Sequence, residues 1–183
     1  MDRNELQVLF IIDGEPMNNQ GIGSWIARRA KMTPWKTAIF DGQLNWTYAE
    51  FNHQINRLAH GLRSLGIRRG DRIAFLNQNH PFYLQSLFAA GTLGVTMVPL
   101  NLKLNPADLR YILNMAGCRL LLYGSAADET IEFLKGKTPV THFISMEDNR
   151  DLSLSLLLAE QPDTPIDEFV ALEETALISF TSG

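Results

Sequence analysis

The residues with the clearest chemical potential close the chain, where an apolar run, Ala176-Leu-Ile-Ser-Phe180, leads directly into Thr181-Ser182-Gly183. A buried strand ending in hydroxyls and a glycine is how phosphate-cradling loops begin. Glycine lets the backbone approach an anion, and successive N–H groups and hydroxyls then point at it. Three residues are only the opening of such a loop, and Thr-Ser-Gly also follows strands in many ordinary turns. The sequence therefore reads as ending where its chemistry would start.

Other candidates are weaker. His53 and His60 lie seven residues apart and share a helix face, yet no cysteine or third histidine stands near them to complete a metal set. Solvated or half-buried helix histidines are the favoured reading. His80 precedes Pro81 and suits a helix cap, His142 falls in a strand pattern, and neither has a recognisable nucleophile or acid partner. Arg68-Arg69-Gly70-Asp71 could meet a phosphate, but a solvated turn is the plainer account. Gly91 and Gly94 suggest a close approach between a helix and the next strand. They do not form G-x-G-x-x-G, and the sequence contains no full G-x-x-x-x-G-K-S/T loop. Cys118, the single cysteine, reads as a small core residue in a reducing compartment.

The elements that would carry these residues follow from periodicity and punctuation. Ser24 is placed to cap a first helix through Trp25, Ile26 and Ala30, ending before Thr33-Pro34. Ala38 to Trp46, turning at Asp41-Gly42, predicts a β-hairpin. Trp25, Trp35, Trp46, Tyr48 and Phe51 are expected to pack as a small core behind it. Thr47-Tyr-Ala-Glu50 is a capping box opening a helix with Phe51, Ile55, Leu58, Ala59, Leu62 and Leu65 on one face and Gly66 as its stop. Strand-like Arg72–Leu76, Val95–Pro99, Leu120–Tyr123 and Val140–Ile144 alternate with helical stretches after Pro81, after Asn105-Pro106 and over Asp128–Leu134. Such alternation predicts an α/β fold with right-handed crossovers around a mainly parallel sheet. Residues 145–174 form an acidic, proline-containing connection, and Ala176–Phe180 is expected to begin a further unit.

Composition narrows the function classes. The chain has 183 residues, 45% hydrophobic and 20% charged, which suits a globular domain. A net charge of −4 gives no basic footprint, so no nucleic-acid partner is expected. No run is long enough to span a bilayer. Val8–Ile12 is too short for a signal core and lacks a basic leader, so a cytoplasmic location is expected. Residues 1–20 read as a loosely ordered N-terminal extension. Oligomeric state is not legible.

Several landmarks stand in a fixed order. They are Leu44-Asn-Trp-Thr-Tyr-Ala-Glu-Phe51; Asn56-Arg57-Leu58-Ala59 with Leu62 and Leu65-Gly66; and Gly70-Asp71-Arg72-Ile73-Ala74. Asn79, Phe88-Ala89-Ala90, Gly94, Val98-Pro99-Leu100-Asn101, Leu109-Arg-Tyr-Ile-Leu113 and Ala176–Gly183 complete the set. From about Gly23 to Gly183 the chain resembles the N-terminal portion of the adenylate-forming ligase superfamily. The stretch Pro99-Leu-Asn-Leu-Lys-Leu-Asn-Pro106 is similar to its acyl-CoA synthetase branch. The resemblance implies that residues 21–183 are an incomplete N-terminal AMP-binding domain, with a second sub-unit starting near residue 175. It also implies a parent that joins a carboxylic acid, of the fatty class, to ATP with Mg2+ and passes the acyl group to CoA. Thr181, Ser182 and Gly183 would then be the first ATP-phosphate-binding residues, and the 183 residues alone would be inactive. No catalytic or metal-ligating residue carries over. A non-catalytic α/β binding or interaction module, or another branch of the superfamily, stays open.

Overall fold

The structure, a computed structural model, describes residues 11–12, 15–16, 18–42, 44–148 and 152–181. Of the extension expected over residues 1–20, residues 1–10, 13–14 and 17 therefore lie outside the described residues. Strands β1 (Ile11–Ile12) and β2 (Glu15–Pro16) pair antiparallel. Asn18 and Gln20 are tied to a distant segment: Asn18 Nδ2 donates to Asp167 at 2.7 Å and the Gln20 amide to the Val170 carbonyl at 2.8 Å.

Helix α1 (Gly23–Met32) begins two residues earlier than the Ser24 cap would place it, with Ile22 at the cap position. Ser24 lies inside the first turn, where its hydroxyl donates to the Gly21 carbonyl at 2.9 Å. The reason is steric. A Cβ on Gly23 would stand 2.3 Å from the Thr92 amide nitrogen, so this helix start docks directly on backbone. A Cβ on Gly91 would stand 2.9 Å from the Gly23 nitrogen. The close approach inferred at Gly91 is thus made with α1 rather than with the following strand.

The hairpin β3 (Thr37–Phe40) and β4 (Asn45–Thr47) forms as expected. Only part of the aromatic set packs behind it. Trp46 stacks on Phe51 at 5.9 Å and Phe51 meets Phe88 edge-on at 6.1 Å, whereas Trp25 and Trp35 are 55% and 72% exposed. Helix α2 (Tyr48–Ser64) opens on the full capping box: the Glu50 amide donates to Thr47 Oγ1 at 3.3 Å, and the Thr47 amide donates to the Glu50 carboxylate at 2.8 Å.

Four parallel strands make the central sheet: β5 (Arg72–Leu76), β6 (Thr96–Pro99), β7 (Leu120–Tyr123) and β8 (His142–Ser145), in the order β6-β5-β7-β8. Their period-two alternation divides the molecule into two cores. Ile73, Phe75, Met97, Leu120, Leu122 and Ile144 face α2 and α3 (Phe82–Thr92). Ala74, Leu76, Val98 and Leu121 face α4 (Pro106–Ala116) and, beyond the short 3-10 turn Ser125–Ala127, α5 (Asp128–Leu134). Each large side chain fully withdrawn from water contributes about 1.5–3 kcal/mol, and Leu58, Leu62, Ile73, Leu120 and Leu121 are all 0% exposed. Because α3 covers one face and α4 and α5 the other, the winding direction reverses at β5. The Arg72 guanidinium closes the C-terminal end of α4, donating to the carbonyls of Ala116 at 2.7 Å and Gly117 at 3.1 Å.

The connection after β8 contains one element that periodicity missed, α6 (Leu154–Leu158), whose start is capped by Ser153. Residues 159–175 then run as a strap across α2. His53, Asn56 and His60, one turn apart on α2, bind Asp163 and the Thr164 carbonyl at 2.8–3.0 Å. The strand expected over Ala176–Phe180 is reduced to one parallel bridge, Met97 with Leu177, because the segment reaches β6 only at the sheet margin.

Candidate functional site

In an open parallel sheet, ligands settle outside the carboxyl ends of the strands. Here those ends are Asn77-Gln78-Asn79 after β5, Pro99 closing β6 with Leu100-Asn101 after it, and Ser179-Phe180 beyond the bridge to β6. They line a cleft of about 700 Å³ together with Leu102, Lys103, Leu104 and Ile112. The bridge is parallel, so residues 179–181 emerge on this same edge rather than at the opposite end of the sheet. Direction, more than composition, makes this the candidate site.

The cleft sets an apolar wall, Pro99, Leu100, Leu102, Leu104, Ile112 and Phe180, against a polar one whose one formal charge is positive. Its polar residues are amides, a hydroxyl and the Lys103 ammonium, with no carboxylate among its lining residues. Two of the loops are held from within: Asn77 Oδ1 accepts from the Gln78 amide at 2.8 Å, and Asn101 Oδ1 accepts from the Lys103 amide at 2.9 Å. These are turns in which a short polar side chain fixes its own backbone. A Cβ on Gly124, at the end of β7, would stand 2.2 Å from Asn77 Oδ1, so the β5 and β7 ends press together with no room for a side chain. The arrangement offers an anionic group one cation and several amide donors, and its described lining residues include no nucleophile–base pair.

Of the proposed phosphate-binding residues, Thr181 is exposed beyond this edge, while Ser182 and Gly183 lie outside the described residues. Sequence reasoning did not mark Gln78 or Lys103 as site residues, although they lie two and four residues beyond the strand ends at Leu76 and Pro99. That position was the available signal.

The other candidates are not brought together. His53 pairs with Asp163 at 2.8 Å, and His60 accepts from Arg63 at 3.0 Å while its other nitrogen meets the Thr164 carbonyl. His80 Nδ1 accepts from the Phe82 amide at 3.2 Å, the capping role its place before Pro81 suggests. His142 is half-buried in β8. Among the described residues no group of three His, Cys, Asp or Glu could hold a metal ion. In the basic turn, Arg68 donates to the Arg63 and Ile67 carbonyls, Arg69 to Glu174, and Asp71 accepts from Arg119 at 3.0 Å. Burial pushes the Cys118 thiol up to about 12, only partly offset by the Arg72 charge, so it is a poor nucleophile. No helix among the described residues is long and apolar enough to cross a membrane.

Known proteins agree with this architecture. The family model described as AMP-binding enzyme matches residues 26–183. A feruloyl-CoA synthase from Amycolatopsis sp is 39% identical over 171 residues, covering 91% of the chain and 32% of that protein. A 3-hydroxybenzoate–CoA ligase from Aromatoleum sp. is 29% identical over 149 residues, covering 80% of the chain and 28% of that protein. The solved structure of a Mycobacterium tuberculosis fatty acyl CoA synthetase superposes with a TM-score of 0.82 at 27% identity, over 88% of the chain and 32% of that structure. The chain thus spans about a third of the length of the relatives it matches.

Proposed function

Given that the chain belongs to the AMP-binding enzyme family, we propose that it forms the first part of the nucleotide-binding domain of an ATP-dependent acid–thiol ligase. The observation that carries this reading is the parallel seating of 176–178 on β6. It delivers Thr181 to the carboxyl edge of the sheet, beside a cleft rich in N–H donors. Residues 21–183 then belong to one AMP-binding domain, with a sub-unit boundary near residue 175.

In the proposed reaction an acid carboxylate attacks the α-phosphorus of ATP, and the bond to the departing pyrophosphate breaks. The acyl-adenylate is then attacked at its acyl carbon by the CoA thiol, which loses its proton as AMP leaves. A free carboxylate is a poor electrophile, and adenylation supplies the leaving group. Charge accumulates on the phosphates during the first step, and donors aimed there stabilise it. Thr181, Ser182 and Gly183 are the proposed first contacts, with the side-chain amides of Gln78, Asn79 and Asn101 and the Lys103 ammonium shaping the approach. Mg2+ would reduce the phosphate charge, but the lining of this cleft offers it no carboxylate ligand. Both aromatic and fatty acids are activated by name among the relatives, so the acid class is left as carboxylic, with the fatty class kept as one option. A cytoplasmic location fits the lone buried cysteine.

Acid-dependent ATP–pyrophosphate exchange tests the reading. Protein expressed from the whole open reading frame is expected to exchange label with at least one aromatic or fatty acid. Exchange with none of a broad panel would remove the ligase assignment. A polypeptide of these 183 residues alone is expected to show no exchange.

A further inference from the structure

We infer that Arg69 is a positioning residue for the phosphate-binding segment: by clamping Glu174 it fixes the register in which residues 175–181 join β6. This rests on the ligase reading above. The pair is separated by 105 residues of sequence, and the Arg69 guanidinium grips the carboxylate in a fork, Nε to Oε2 at 3.0 Å and Nη2 to Oε1. Glu174 Oε1 also accepts from the Ala171 amide at 2.8 Å, so the carboxylate holds its own turn as well as the arginine. The ring of Phe169 lies 5.4 Å from the guanidinium carbon, a second contact between the strap and the same side chain. Gly94, with φ of +64°, makes room: a Cβ there would stand 2.8 Å from Arg69 Cγ and 3.2 Å from Glu174 Oε2.

A clamp is needed because the ladder beyond it is so short. The segment reaches β6 through two backbone hydrogen bonds, Met97 to Ala176 and Ile178 to Met97, both 2.9 Å. Thr96 Oγ1 adds a bond to the Thr175 carbonyl at 2.8 Å. A slip by one residue would turn every side chain to the opposite face. Ile178 would leave the core shared with α4, and Ser179 and Phe180 would leave the cleft. Arg69 sets the residue at which the segment starts, and so where Thr181 ends. A bidentate fork also sets orientation, which a lysine ammonium would not.

The test uses Arg69→Gln, Glu174→Gln and the charge-swapped double variant R69E/E174R. In the 183-residue chain, hydrogen exchange at the Ile178 amide is expected to quicken about two- to fivefold in each single variant, the range open to a partly exposed ion pair. Amides of β5 and β7 should be unchanged, and the swapped pair should recover part of the protection, since the acceptor for the Ala171 amide is lost with Glu174. In protein from the whole reading frame, the KM for ATP should rise by a similar factor while the KM for the acid holds. Unchanged Ile178 exchange in both single variants, or equal quickening across the whole sheet, overturns the clamp. If that protein activates no acid, the ligase reading fails, and the exchange data alone decide the clamp.

Discussion

The amide of Ile178 donates to the carbonyl of Met97 at 2.9 Å while the Met97 amide donates to the carbonyl of Ala176 at 2.9 Å, a pair of bonds that makes this segment a parallel neighbour of β6. Antiparallel pairing would have sent Thr181 towards the amino ends of the strands, away from Asn77, Asn101 and Lys103. One hydrogen-bond direction thereby links a sequence that resembles the start of a phosphate loop to the edge of the sheet where ligands collect.

The docking of α1 on α3 is backbone against backbone, at Gly23 and Gly91. Gly23→Ala would drive a Cβ to 2.3 Å from the Thr92 nitrogen and 2.4 Å from the Gly91 carbonyl carbon, neither of which can step aside. Gly91→Ala meets Ile22 Cγ1 at 2.7 Å and the Gly23 nitrogen at 2.9 Å, of which the first can rotate away. Overpacking of this kind costs about 1–3 kcal/mol. Urea denaturation should place Gly23→Ala at or beyond the upper end of that range and Gly91→Ala below it.

Thr47 and Glu50 close the start of α2 reciprocally, and α2 carries Phe51, Ile55, Leu58 and Leu62 into the first core. Thr47→Ala removes the acceptor for the Glu50 amide. A loss of about 1 kcal/mol is expected, read as a lower urea midpoint with an unchanged slope.

Much of this was legible in the sequence, for local reasons. The capping box at Thr47, the Asn105-Pro106 start and the Gly117 stop of α4 are decided by neighbours within a turn, and each forms where it was expected. Strands β5 and β7 announce themselves as short apolar runs, since both their faces are buried. The failures share the opposite cause. Ser24 has the chemistry of a cap, but a glycine contact some seventy residues away sets where α1 begins. Arg69 reads as a solvated turn residue until the fold returns Glu174 to it. The cleft was invisible because it is assembled from three strand ends, and only chain direction brings them together.

Glu174 offers a pH test. Burial pushes its carboxyl up, but the bonds from Arg69 and the Ala171 amide outweigh this, leaving it below its ordinary value of 4.5. Because the folded value lies below the unfolded one, the stabilisation is complete above about 4.5 and is lost as pH falls through the folded value. Carbon NMR of the Glu174 carboxyl should show it titrating below the ordinary value. In Arg69→Gln the midpoint should move up, since burial then acts with less opposition. An identical midpoint in both proteins would contradict the clamp geometry.

Cys118 gives an internal probe of unfolding. It is 0% exposed, and its thiol is pushed up to about 12, so thiolate is scarce and out of reach at neutral pH. A disulfide reagent should leave it unmodified in the native chain and titrate one thiol in denaturant. Gly23→Ala should speed native-state labelling, the logarithm of the rate rising in step with its loss of stability.

The most direct test of the central claim is a crystal structure of the protein from its whole reading frame with a non-hydrolysable ATP analogue. The triphosphate is expected at the carboxyl edge of the sheet, beyond β6, within hydrogen-bonding reach of Thr181 Oγ1 and the Gly183 amide. A nucleotide ordered elsewhere, such as in the concavity of about 440 Å³ between α1, α2 and the strap, with no phosphate near Thr181, would contradict it.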